Sequence, residues 1–210
     1  MHLLNCYSLN CGLKIDKPFI LEKFFPLNID NFITFEPKGV FPSRQYDYWD
    51  DVINILQPIL DREGIKILQI GPTQDDYKFP RVYNVSGQAS ANQIAYILSN
   101  SLLHLGSDSF FNHLASHYNK KIVSLFSDSP PDNNGPFFSK PEDLSLLTPR
   151  FKNRKYSYSM EEDDKAINTI KPEDIAKEVC SLLGVSFEYQ YETLHVGANY
   201  NNRSVELARR

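Results

Sequence analysis

Cysteine is scarce in this chain of 210 residues, and the three present (Cys6, Cys11 and Cys180) are odd in number and form no CxxC pair. That excludes a disulfide framework and a thiolate zinc site, and leaves reduced structural thiols as the expectation. Long hydrophobic runs are missing as well: none approaches the ~18 residues that crossing a bilayer requires. The opening "MHLLNCYSLNCGLKIDKP" lacks the basic segment and continuous apolar run of a secretory signal, so a cytoplasmic location is expected. An excess of positive charge is absent too. Against 26 Asp and Glu stand 22 Lys and Arg, for a net charge of -4, which disfavours nucleic acid or a membrane surface as the main partner. No internal repeat or low-complexity tract is visible.

What is present is a globular composition, 41% hydrophobic and 23% charged, in a length that fits one main domain with appendages. Residues 1–31 carry turn signals at Gly12, Pro18 and Pro26 and no sustained period, so they read as an extended lead-in packed on the domain. From Phe32 the pattern sharpens. "FITF" reads as a strand, and Trp49, Val52, Ile53, Leu56, Ile59 and Leu60 recur at helical spacing, with Pro58 expected to kink or break that helix.

"IKILQI" (65–70) follows as a strand, then a short apolar stretch near 82–85, a helix capped by Ser90, a strand over 102–106, a helix from about 110 to 118, and the strand "KIVSLF". The stretch 127–170 reads as loop, including the basic "RFKNRKY" and the acidic "EEDD" that offsets it. A last helix begins at Pro172 and ends at Gly184, and the alternating tail 185–210 reads as one or two short strands.

Strands alternating with helices imply right-handed crossovers and a parallel sheet with helices on both faces, an α/β Rossmann-like domain over 32–184 with N- and C-terminal extensions. In such a sheet ligands bind beyond the carboxyl ends of the strands, so the loops at 36–47, 71–80, 106–110 and 127–140 are the ones to inspect. The turn Ser107-Asp108-Ser109 allows two readings. These residues cap the helix that follows, or the unpaired N–H groups at its start hold an anion while Asp108 accepts from sugar hydroxyls and His113 donates one turn on. His113 and His117 sit four apart, but "HLASH" has no Glu after the first His and no third ligand is evident, so neither a metal ion nor any cofactor is expected. Asp16 and Glu36 read as solvated turn carboxylates.

"HLGSDSFFNHLASHYNKKIVSLFS" resembles the donor-site segment of glycosyltransferase family 9, the ADP-heptose:lipopolysaccharide heptosyltransferases, in which a Gly-Asn-Asp-Ser/Thr-Gly stretch precedes a His-Leu-Ala helix and an apolar strand. "ITFEPKG", "YDYWDDVINIL", "IKILQIGPTQDD" and "VSGQASANQIAYILSNS" resemble further segments of that family in the same order. The resemblance covers residues 32 to about 184 and implies one half of a GT-B fold, the C-terminal domain that binds the nucleotide diphosphate-sugar.

It implies that Ser107, Asp108, Ser109 and His113 contact diphosphate and sugar, that Arg44 neutralises diphosphate, and that Thr73 to Asp76 and Gly87 to Ser90 lie near the nucleoside. Catalysis would rest on stabilising the departing diphosphate. Two departures stand out: Phe110 occupies the place of the family's loop glycine, and the residues before the first strand are too few for an acceptor-binding domain. The implied activity is glycosyl transfer to an unknown acceptor, with a separate acceptor-binding domain or an oligomer partner; the alternative is a GT-B-like binding or assembly module without activity. No residue is assigned as catalytic base.

Overall fold

The computed structural model describes residues 1–73, 79–149, 155–162, 165–195 and 205–209. Its centre is a six-stranded parallel sheet built from β1 (Phe32–Glu36), β2 (Lys66–Gln69), β3 (Tyr83–Asn84), β4 (Leu103–Ser107), β5 (Lys121–Leu125) and β6 (Leu144–Leu147), in the spatial order β3-β2-β1-β4-β5-β6. Every neighbouring pair runs parallel. Both faces are covered, which explains why the central strands are apolar on successive residues. Ile33, Phe35, Ile67, Leu103, Leu105 and Val123 point to the layer of α2 (Trp49–Arg62) and α6 (Pro172–Leu183). Phe32, Leu68, Ile70 and Ile122 point to α3 (Ala91–Asn100) and α4 (Phe110–His117).

The strand order places a reversal between β1 and β4. Chain leaving β1 passes to α2 on one face, and chain leaving β4 passes to α4 on the other, which is the kind of reversal beside which α/β sheets hold their ligands. Local signals fix the helices around it. Ser90 begins α3 in a capping box, its N–H donating to Gln93 Oε1 at 3.0 Å. Pro172 opens α6, and Gly184 closes it in the left-handed conformation at φ 74°.

Several expectations need correction. The lead-in is not extended throughout: α1 (Leu3–Cys11) is a helix, started by the His2 ring accepting from Leu4 N–H and stopped by left-handed Gly12. It buries no residue and so leaves no amphipathic period to read. The rest of the lead-in packs as expected, with Ile20, Phe25, Leu27 and Ile29 against the α3 and α4 layer. Pro58 does not break α2, because Leu56, Ile59 and Leu60 on either side of it are buried and hold the turn together.

β6 lies within the stretch read as loop. It is a short edge strand whose residues are only partly buried, paired with β5 and followed directly by Thr148-Pro149. Glu36 is 1% exposed rather than solvated, because it ends the central strand and pairs with Gly106 of β4. The tail forms β7 (Tyr191–His195) and β8 (Val205–Arg209), paired antiparallel. Most of "RFKNRKY", the end of "EEDD", and Gln74 to Asp76 of the expected nucleoside loop lie outside the described residues. No helix among the described residues is long and apolar enough to cross a membrane.

Candidate active site

Three loops meet at the carboxyl ends of β1, β4 and β5. The loop after β1 carries Arg44 at the end of a short 3-10 turn (Pro42–Arg44). Gly39 permits that turn: a Cβ at this position would lie 2.5 Å from the Arg44 carbonyl oxygen. The loop after β4 carries Asp108, and Ser109 caps α4 by accepting from Phe111 N–H. The loop after β5 carries Asp128 and leads into the single turn α5 (Pro131–Asn134).

Arg44 joins all three. Its Nε and Nη2 donate to the two carboxylate oxygens of Asp128 at 2.9 and 3.0 Å, the planar fork for which guanidinium is suited. Its Nη1 lies 2.9 Å from Asp108 Oδ2 and donates to the Asp108 carbonyl at 3.3 Å. The Phe41 ring stands 5.4 Å from the guanidinium carbon. Asn134 Nδ2 donates to Asp108 Oδ2 at 3.0 Å and to Ser129 Oγ at 3.0 Å. A strap formed by residues 155–162 fastens two of these loops, with Tyr158 N–H donating to Asp128 O and Ser43 N–H to Met160 O.

Charge and burial set the protonation of the site. Asp108 is 2% exposed, and loss of water pushes its carboxyl up to about 6; Arg44 opposes that rise, Asp128 adds to it, and Asn134 opposes it. His113 stands on the first turns of α4 with part of its surface in solvent and part covered by neighbouring chain; the partial loss of water, then the charges of His2 and Arg44, hold its imidazole below the ordinary value. At neutral pH it is therefore a neutral donor or acceptor.

The expected residues fall into three groups. Arg44 and Asp108 are in direct contact, with Ser109 beside them at the helix start. Ser107 is fully buried beneath that turn; its carbonyl accepts from Asn112 Nδ2 at 2.9 Å, and Asn112 also donates to Ser124 Oγ on β5. Its own hydroxyl is buried with no hydrogen-bond partner. Thr73 is exposed on the loop after β2, and the hydrogen bonds that join Arg44, Asp108 and Asp128 do not include it.

Sequence reading missed Asp128, Asn134 and His104. A carboxylate directly after an apolar strand, in "SLFSDS", was the available sign for Asp128. Asn134 carries no sign in the sequence. His104 sits fully buried in β4 with Nδ1 3.1 Å from Thr34 Oγ1, and burial pushes its imidazole down to about 3, so it is neutral. Gly106, beside it, admits no Cβ without crowding Glu36 O at 3.0 Å.

A doubly wound parallel sheet with helices on both faces defines an α/β Rossmann-like domain, with an arginine and a buried carboxylate at its reversal point. Comparison with known proteins narrows that class. The model of glycosyltransferase family 9 (heptosyltransferase) matches residues 14–162, beginning inside the lead-in, and the chain belongs to that family. Among curated proteins no sequence matches significantly.

Solved structures agree in fold. The ADP-heptose lps heptosyltransferase II of E. coli aligns at 15% identity and TM-score 0.54, over 85% of this chain and 50% of that one. A glycosyltransferase of family 9 from Veillonella parvula aligns at 17% identity and TM-score 0.55, over 73% and 46%. The dodecameric iron-containing heptosyltransferase TibC, from enterotoxigenic E. coli and in complex with ADP-D-beta-D-heptose, aligns at 12% identity and TM-score 0.61, over 81% and 50%. This chain thus spans about half the length of each.

Proposed function

We propose that the crevice between the β1 and β4 loops binds a nucleotide diphosphate-sugar and that the chain takes part in glycosyl transfer from it. The observation that carries this reading is the convergence of Arg44 and Asp108 at the reversal of strand order, supported by membership of glycosyltransferase family 9. Arg44 would give its guanidinium to the diphosphate as the glycosyl bond breaks and charge collects on the leaving oxygen. The N–H groups at the start of α4, with Ser109, would add donors there. Asp108, once a ligand shares Arg44, would accept from sugar hydroxyls, and His113 would face the same ligand. Thr73 and Gly87 to Ser90 would border the nucleoside.

In this reading residues 32–184 form the donor-binding domain, 1–31 a lead-in packed on it, and 185–210 a β-rich tail. The acceptor-binding part would come from another domain or an oligomer partner. ADP-heptose heads the donors to try, because TibC is in complex with it. The three free cysteines suit a cytoplasmic location. Calorimetric titration with ADP-, UDP-, GDP- and CDP-sugars tests the reading: binding should occur for at least one and weaken about tenfold or more in Asp108→Ala. Silence across the whole panel would sink it.

A second reading, an inactive binding or assembly module, draws on Phe110, which is 59% exposed at the first position of α4 where the family loop has glycine. It is favoured if the chain forms a stable complex or oligomer and turns over no donor.

A further inference from the structure

The two carboxylates that share Arg44 differ in what each would lose by letting it go. Asp108 Oδ2 accepts from Asn134 Nδ2 at 3.0 Å as well as from Arg44, so it keeps a donor when the guanidinium leaves. Burial also pushes its carboxyl up to about 6, so a proton can stand in for the arginine there. Asp128 has less in reserve. It is 6% exposed, and beside the Arg44 fork its carboxylate is met, among the described residues, by Ser129 Oγ at 3.4 Å. Without the guanidinium a buried charge would be left on one long hydrogen bond, which is a costly state.

The backbone around this contact is tied down as well. Phe126 N–H donates to Leu147 O at 2.8 Å, and Tyr158 N–H donates to Asp128 O at 2.8 Å. Ser43 N–H donates to Met160 O at 3.1 Å, so the turn that carries Arg44 and the loop that carries Asp128 are pinned to the same strap.

We propose that Asp128 is a positioning residue for the donor site: its fork stays on Nε and Nη2 of Arg44 while an oxygen of the diphosphate replaces the Asp108 carboxylate at Nη1. The inference rests on the donor-site reading given above. It makes the two acidic residues unequal, Asp128 a fixed anchor and Asp108 an exchangeable occupant. Two parallel charge-assisted bonds set the plane of the guanidinium, so a ligand meets a cation that is already oriented. Both N–H groups of Nη1 lie outside that fork. The Asp108 carbonyl, 3.3 Å from Nη1, can keep one of them, and the ligand takes the one that now faces Asp108 Oδ2.

The test uses the full chain, with inorganic pyrophosphate and ADP-, UDP-, GDP- and CDP-sugars as probes, and follows the Arg44 Nε–H by NMR of nitrogen-labelled arginine side chains. An N–H held in a buried fork exchanges slowly with water and is seen, and Arg44→Lys identifies the signal by removing it. The signal should survive in Asp108→Asn and at saturating ligand, and should disappear in Asp128→Asn. Affinity for every probe that binds should fall about tenfold or more in Asp128→Asn. Asp128→Ala makes the same removal and covers the case in which Asp128→Asn fails to fold. Affinities that both Asp128 variants leave at the wild-type value, a signal that depends on Asp108 instead of Asp128, or a signal lost when ligand saturates the site would overturn the inference and leave the donor reading standing. If no probe binds the wild type, the donor reading fails and the positioning role fails with it, whatever the signal shows.

Discussion

Arg44 Nη1 lies 2.9 Å from Asp108 Oδ2, linking the loop after β1 to the loop after β4 across the reversal in strand order. The pair is not isolated, because the same guanidinium forks onto Asp128. One cation is thus shared by two carboxylates. Under the proposed function, a diphosphate would have to take part of Arg44 from Asp108, and the protonation of Asp108 would govern how readily that happens.

The first prediction concerns stability against pH. Asp108 ionises at about 6 in the folded chain, against an ordinary value of 3.8. Because the folded value is the raised one, its contribution is fully present below about pH 4 and is lost as pH rises through about 6, a loss of about 3 kcal/mol by pH 7. Urea unfolding of wild type and Asp108→Asn from pH 4 to 7 should show the wild type losing stability relative to the variant across that window. Parallel curves would contradict it.

The same proton affects binding. Protonated Asp108 no longer competes for Arg44 or repels phosphate, so affinity for a nucleotide diphosphate-sugar should rise as pH falls from 7.5 to 5.5. Asp108→Asn should flatten that dependence, measured by calorimetry at each pH.

Arg44→Lys keeps the charge and loses the fork. One ammonium cannot serve both oxygens of Asp128 and also reach Asp108, so the two carboxylates face each other less well compensated. A loss of about 1–3 kcal/mol in stability is expected, with donor affinity down about tenfold. Thermal melts and calorimetry read the two effects separately; wild-type values in both would refute the shared-cation arrangement.

Gly39→Ala tests how Arg44 is placed. The added methyl would stand 2.5 Å from the Arg44 carbonyl oxygen, so the turn must shift and carry the guanidinium with it. Donor affinity should fall by an amount comparable to Arg44→Lys.

Much of this arrangement can be read from sequence, for physical reasons that differ along the chain. Strands β1, β2, β4 and β5 declare themselves because burial on both faces demands continuous apolar residues, and α2 and α6 because one face of each is apolar. α1 stays hidden because its stability comes from caps and from contacts at His2, not from a buried stripe. β6 stays hidden because an edge strand with partial burial resembles a loop. In the site, Asp108 and Arg44 are legible one at a time, but their contact is set by a crossing of distant loops. Asp128 and Asn134 acquire meaning only once β5 is known to lie next to β4.

Phe110 separates the donor-binding reading from the assembly reading. Phe110→Gly removes an exposed ring at the start of α4, at a cost to the helix of at most about 1 kcal/mol. Donor affinity should increase several-fold if the ring stands over the anion site. A fall in oligomer stability with no gain in donor affinity would favour the assembly module.

The most direct measurement is calorimetric titration of the full chain with ADP-heptose and a panel of other nucleotide diphosphate-sugars, repeated on Arg44→Lys and Asp108→Ala. The expected result is saturable binding of at least one donor that weakens about tenfold or more in both variants. No binding by any donor, or binding that neither substitution changes, would contradict the assignment of the Arg44–Asp108 crevice as the donor site.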